Sequence, residues 1–292
     1  MPDATAPRAA AIRRLLPKPP PWVVMYHSIA DTTDDPYRVT VSPVRFARQL
    51  HWLNDRGLRG VSVRELLDAR AAGRAKGLVG LTFDDGYADF VDSALPLLRR
   101  HGFTATVYVL PGRIGGENAW DDNGPRKPLL TEDGIVAVAE AGMEIGSHGL
   151  RHVSLPTVDT ATLAEETRRS RELLEEITGG PVHGFCYPYG HIDARAVRSV
   201  REAGYRYGCA IDPGPLTCAH ALPRVHIDEQ DTPLRLTAKR LLHPLRRRHP
   251  RDLDDDLGTG VGTGTRLAAA SGRDAGRDAG RDAGRDAGRE AS

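Results

Sequence analysis

Residues 77–110 read GLVGLTFDDGYADFVDSALPLLRRHGFTATVYVL. GLVGLTF is an apolar run of strand length, YADFVDSALPLLRRHG has helical periodicity, and TATVYVL is again apolar and β-branched. That order specifies two parallel strands joined by a crossover helix. The first strand stops at two adjacent carboxylates, Asp84 and Asp85, before Gly86. A turn uses one Asp before Gly; a second like charge beside it calls for another reason.

The same alternation extends in both directions. PWVVMYHSI reads as strand and SPVRFARQLHWLNDRG as helix, with Ser42 as N-cap, Pro43 in the first turn and Gly57 as stop. TEDGIVAVAEAG is helix, MEIGS a short strand, and TATLAEETRRSRELLEEITG a long helix. VHGFCYPYG is strand then turn, DARAVRSVREAG helix, and YRYGCAI and LPRVHI strands. Strand and helix alternate about seven times over roughly 220 residues, and no Gly-rich nucleotide fingerprint follows the first strand. The pattern predicts an α/β fold, a distorted (β/α) barrel of about seven parallel strands, rather than an open sheet.

The ends read differently. Residues 1–20 are Ala-rich and basic, lead into PKPPP, and form a flexible arm. The catalytic domain is expected over 21–245, and 246–292 as a disordered linker and tail. The tail repeats GRDA; each unit carries one Arg and one Asp and nothing larger than Ala to bury. Before it, HPLRRRHPRDLDDDLGTG switches from basic to acidic and reads as linker. Its basic part is either a solvated tail or a contact for anionic lipid or a partner.

Composition excludes several classes. The 292 residues carry a formal net charge of +1, so no global field points to nucleic acid. Cys186, Cys209 and Cys218 are odd in number and irregularly spaced, which argues against a disulfide framework or a cysteine zinc site. No run spans a bilayer, and the N-terminus lacks the apolar core of a secretory signal. A cytoplasmic protein is expected, with export by another route as the alternative. The sequence leaves the oligomeric state open.

Chemistry-bearing residues fall just after the strands, at the ends that share one rim in a parallel barrel. They are His27, the Asp84–Asp85 pair, His148 and Tyr189, with His226 in the last strand. His148 and His152 are four apart; on a helical turn both imidazoles would face one ion. The alternative is two unrelated surface or capped histidines. Asp85 from another strand end would complete a two-His, one-carboxylate set with open positions. A cation would also relieve the repulsion between the two Asp side chains, leaving Asp84 to take a proton from metal-bound water. The bland reading is a DG turn with a spare Asp. Period-two alternation in LPRVHID puts Arg224, His226 and Asp228 on one face, and a His226 paired to Asp228 is the structural alternative to a catalytic one.

TFDDG (82–86), SHGLRH (147–152) and FCYPYG (185–190) resemble, in order, the first three motifs of the polysaccharide deacetylases. This is the NodB-homology group, carbohydrate esterase family 4, and the resemblance covers about residues 21–228. It implies a distorted (β/α) barrel, usually of seven strands, and metal-dependent removal of acetyl groups, most often from N-acetylated sugars. By position it implies Asp84 as base and Asp85, His148 and His152 as ligands of one divalent ion. Zinc is the expected ion, with cobalt or nickel as alternatives. The backbone N–H of Tyr189 is implied as an oxyanion donor.

Three departures matter. Gly149 stands where the family has Ser or Thr. Cys186 stands where the family has the Arg that steadies the base, and Arg224 is the candidate substitute. Most members supply the acid His from a late motif, whereas VVMYHSI resembles the branch, including biofilm poly-N-acetylglucosamine deacetylases, in which an early His takes that place. His27 is therefore the expected acid and His226 the runner-up. The loop GGENAWDDNGPRKPLLTEDG also resembles this branch. In it Trp120 and Asp121 would line the sugar site, Trp120 as a stacking platform or as a loop aromatic covering the barrel edge. The expected substrate is an acetylated carbohydrate. An O-acetyl esterase and a catalytically dead sugar-binding protein are the competing readings.

Overall fold

The central strand β5 (Leu78–Phe83) shows how the sheet is built. In this computed structural model, which describes residues 21–211, 216–246 and 251–252, one side of β5 pairs with β1 (Val23–Tyr26) along its length. Its other side is shared. β4 (Arg59–Val61) pairs with residues 78–80, and β6 (Thr106–Val109) pairs with Thr82 and Phe83. β7 (Glu144–Ser147), β8 (Gly184–Cys186) and β9 (Tyr207–Cys209) continue from β6, and β11 (Val225–His226) flanks β1. Every pairing is parallel. The path β11-β1-β5-β6-β7-β8-β9 has seven strands, with β4 wedged beside it. The seam between β9 and β11 is spanned by one bridge, Cys209 to Leu222, three residues before β11 begins. The result is the distorted barrel expected from the alternation. Short strands β2 (Ser28–Ile29) with β3 (Thr40–Val41), and β10 (Leu216–Thr217) with β12 (Arg251–Asp252), form two-stranded pairs outside it.

The helices are α1 (Pro43–Asn54), α2 (Val63–Ala71), α3 (Leu95–Arg100), α4 (Glu132–Glu140), α5 (Thr160–Ala164), α6 (Ser170–Thr178), α7 (Ala194–Glu202) and α8 (Pro233–Arg246). Their starts are encoded locally. Ser42 caps α1 by accepting from Arg45 N, with Pro43 behind it, as the sequence predicts. The long helix expected at 160–179 is present, but a π-turn at Glu165–Arg169 joins α5 to α6. Two corrections concern the C-terminal half and the early chain. The segment read as linker from His243 begins inside α8, whose Leu236 and His243 are buried. β4 and α2 were not anticipated; their apolar residues are too few for a periodic signal. Residues 1–20 and the GRDA tail, predicted as arm and tail, lie outside the described residues. No helix among the described residues is long and apolar enough to cross a membrane.

Period-two alternation sorts the strands into two layers. Val24, Tyr26, Leu81, Phe83, Val107 and Val109 pack outward against the helices in the main core. The opposite register, including Val23, Tyr108, Cys186, Tyr207 and Cys209, fills the barrel interior. At the upper rim that inner register ends in polar residues.

Candidate active site

Asp84 and Asp85 leave the same strand end in different directions. Asp84 is still extended, its N–H donating to Tyr26 O at 3.0 Å, so it continues the inward register of Thr82. Asp85 then takes a positive φ of 72°, followed by Gly86 at 70°. A left-handed Asp is tolerated but costs energy, so the surroundings must hold it there. Each carboxylate has its own partners, and this is the reason for two.

Asp84 is gripped by Arg224, which is 1% exposed. Nη1 donates to Oδ1 at 2.5 Å and Nη2 to Oδ2 at 2.7 Å, a two-pronged fork. Arg224 also donates to Thr82 Oγ1, Ala210 O and Cys186 Sγ, so its orientation is fixed. Burial pushes the Asp84 carboxyl up, but Arg224 outweighs it and holds the group below the usual carboxylate range. Cys186, on the inner register of β8, fits beside this pair with its Sγ 3.5 Å from Asp84 Oδ2. Burial drives its thiol pKa well up, so it is a neutral neighbour.

Asp85 faces the histidines. Its Oδ1 lies 3.2 Å from His148 Nε2 and 3.3 Å from His152 Nε2. His148 follows β7, its N–H donating to Val109 O, and its Nδ1 is 2.9 Å from Cys186 O. A carbonyl only accepts, so Nδ1 carries the proton and the lone pair of neutral His148 sits on Nε2. The four-residue spacing does not act through a helical turn, as the sequence suggested. Residues 148–152 form an irregular turn with Gly149 at φ 82° and His152 at φ 65°. Glu166, fully buried in the π-turn, holds it: its Oε2 accepts from Leu150 N at 2.7 Å and Arg151 N at 3.0 Å, and its Oε1 from Arg151 Nε at 3.0 Å. Glycine suits this position, since a Cβ would sit 3.0 Å from Glu166 Oε2 at a backbone angle that side chains rarely adopt.

The donor set fits a divalent cation. One atom each from Asp85, His148 and His152 lies within 4.8 Å of the others, and all three residues are buried. Asp85 Oδ1 is a buried oxygen whose near polar partners are those two imidazole nitrogens. Burial lowers the His152 pKa despite the pull of Asp85, which leaves it neutral at neutral pH. Two imidazole nitrogens and a carboxylate converging on one small volume suit a cation better than one another. Asp84, His148 and Cys186 also bring donors within 4.8 Å. There, however, Arg224 engages both Asp84 oxygens and the Cys186 thiol is protonated.

The other predicted residues converge on the same cleft, about 370 Å³ in volume. His27 and His226 face each other with ring centroids 5.9 Å apart. Burial and neighbouring His27 push the His226 pKa down to about 4. His226 Nε2 is buried without a hydrogen-bond partner, which gives no support to the alternative of a His226 paired to Asp228. Asp228 instead pairs with Arg38. Trp120 stacks on His152 at 4.4 Å, and Tyr189, at φ 59°, meets the same imidazole edge-on at 4.4 Å. Asp121 accepts from Asn118 Nδ2 and Tyr87 OH. Sequence reasoning missed Glu166, Tyr37, Val39 and Ile211. The last three line the cleft, but nothing in their spacing marks them.

Residues 71–208 match the family model described as polysaccharide deacetylase. A Bacillus subtilis (strain 168) protein bearing the name polysaccharide deacetylase is 25% identical over 206 residues, covering 70% of this chain and 69% of its own. A poly-beta-1,6-N-acetyl-D-glucosamine N-deacetylase of Staphylococcus aureus (strain N315) is 24% identical over 200 residues, 65% of this chain and 68% of that one. The crystal structure of a polysaccharide deacetylase from Bacillus cereus matches with a TM-score of 0.63 at 26% identity, over 75% of this chain and 68% of that chain.

Proposed function

Because residues 71–208 belong to the polysaccharide deacetylase family of hydrolases, we propose that this chain removes acetyl groups from N-acetylated sugars with the help of one divalent ion. The observation that carries the proposal is the pairing of two separate carboxylate sites. Asp85 shares one oxygen with His148 and His152, while Asp84 beside it is held by Arg224. A cation at Asp85, His148 and His152 would polarise the acetyl carbonyl and make a water molecule more acidic; zinc, cobalt and nickel all suit these ligands.

The chain's own residues do the rest. Asp84, kept ionised by Arg224, accepts the proton of the attacking water. The Arg224 fork fixes both carboxylate oxygens, so the base is preorganised. The turn bearing Tyr189 borders the cleft, and its backbone N–H is the proposed donor to the oxyanion. His27 protonates the departing amine. His226 is poorly suited to that step, since a group with a pKa of about 4 holds almost no proton at neutral pH. Trp120 stacks on His152 and Tyr189 meets it edge-on, which limits the motion of the imidazole.

The test is incubation with a panel of N- and O-acetylated mono- and oligosaccharides, with and without chelator, reading acetyl loss by mass. Loss from N-acetylated sugars that chelator abolishes is expected. If the ion-loaded protein never exceeds its Asp84→Asn variant on any member of the panel, the catalytic reading falls.

A further inference from the structure

Among the described residues, four that are not glycine hold a positive φ: Asp85, His152, Tyr189 and Arg38. The first three lie in the motifs of the site. Arg38 lies in none; at a φ of 57° its side chain is 54% exposed and is held at its guanidinium. Its guanidinium pairs with buried Asp228 and lies 3.5 Å from Gln230 Oε1. Asp35 accepts from Val39 N at 3.0 Å and Thr40 N at 2.8 Å, and Thr40 Oγ1 accepts from Lys127 Nζ at 2.5 Å. Such strain persists only where the surroundings over-determine it.

The consequence is the placing of its neighbours. Tyr37 and Val39 line the catalytic cleft, whereas Arg38 and Thr40 line a separate hollow of about 770 Å³ behind them. Tyr37 also reaches the loop that carries Trp120 and Asp121. Its hydroxyl accepts from Asn123 N at 3.3 Å, and its ring lies over Gly124 so closely that a Cβ there would be 3.3 Å away. Lys127, at the base of the same loop, binds Ser28 and Thr40. The loops after β2 and β6 thus meet beside the cleft. Tyr37, Tyr189 and Ile211, 41%, 48% and 37% exposed, stand at the rim where the cleft borders solvent.

We infer that Tyr37, closing on Asn123 and Gly124, shuts one side of the cleft, and that the site therefore takes the terminal acetylated sugar of a glycan. An internal residue needs the chain to leave the cleft on two sides, and the clasp obstructs one of them. Tyr37 is the specificity-determining residue. Arg38 is a positioning residue that acts through it. This inference rests on the deacetylase reading above.

The experiment presents reducing-end-labelled pentamers of N-acetylglucosamine, β-1,4- and β-1,6-linked, and locates the first acetyl lost by tandem mass spectrometry. Wild type is expected to favour a terminal ring over internal ones by roughly tenfold or more. Tyr37→Ala and Arg38→Ala should bring that ratio near unity, while Tyr37→Phe and Arg38→Lys retain most of it. Saturation-transfer NMR on the Asp84→Asn variant reports, without turnover, which rings touch the protein. Contacts concentrated at one terminal ring support the clasp even if no pentamer is hydrolysed, in which case only the deacetylase reading fails. Internal rings hydrolysed or contacted as strongly as terminal ones, or a ratio unmoved in Tyr37→Ala, would overturn the inference.

Discussion

Replacing Arg224 with Met tests whether this arginine is the guardian of the base. Methionine keeps an apolar stem reaching about as far as Nε but loses the guanidinium fork. Asp84, 3% exposed, is left with Cys186 Sγ at 3.5 Å and no guanidinium. Removing one partner of a buried ion pair typically costs about 3–5 kcal/mol, because the remaining charge is neither solvated nor compensated. In a domain of this size that corresponds to a melting temperature lower by roughly 6–20 °C. The pH dependence carries the sign. The folded Asp84 carboxyl lies below its usual range, so its contribution to stability is present above the unfolded carboxylate pKa and is lost as pH falls through the folded one. In Arg224→Met the folded pKa rises, and the acid limb of kcat/KM moves to higher pH. Denaturant unfolding of the Arg224→Met, Asp84→Asn and double variants supplies a cycle; the double variant should recover much of the loss, since no charge is stranded. A cost below about 1 kcal/mol with no coupling between the sites would refute the reasoning.

Three further outcomes follow from the same geometry. Asp84→Asn should lower turnover by roughly 10²–10⁴-fold with metal content unchanged, checked by single-turnover kinetics beside elemental analysis. Zinc at about a hundred times its Kd should stabilise the wild type by about 2.7 kcal/mol; the thermal shift should vanish in His152→Ala, and a shift that persists removes His152 from the ligand set. His226, with a folded pKa of about 4, binds its proton more weakly than in the unfolded chain. Stability should therefore rise with pH between about 4 and the ordinary His pKa of about 6.5, by roughly 3 kcal/mol at most; His226→Gln should flatten that slope in denaturant titrations at pH 4.5 and 7.5.

The sequence made the barrel legible because parallel strands and crossover helices each carry their own period. It placed His27, Asp84, Asp85, His148 and Tyr189 just past strand ends for the same reason, and strand ends in a parallel barrel share a rim. Arg224 was legible by a different route: the family resemblance implies an arginine where Cys186 stands, and alternation in LPRVHID puts Arg224 on one face with His226 and Asp228. What stayed hidden depends on backbone angles that side chains do not announce. Asp85, His152, Tyr189 and Arg38 all turn through the left-handed region without being glycine, and each turn redirects the residues beside it.

That is why the spacing of His148 and His152 suggested a helical turn, whereas the convergence is held by Glu166 from a π-turn on a distant helix. Nothing in the helical period of that segment marks Glu166, because a one-residue bulge shifts the register by about 100° and period-based reading assumes none. The paired Asp residues show the same physics at closer range. Strand alternation alone would send Asp85 outward, opposite Asp84. The φ of 72° turns it to the histidines instead, so that two like charges in sequence become two sites in space, one closed by Arg224 and one left for a cation.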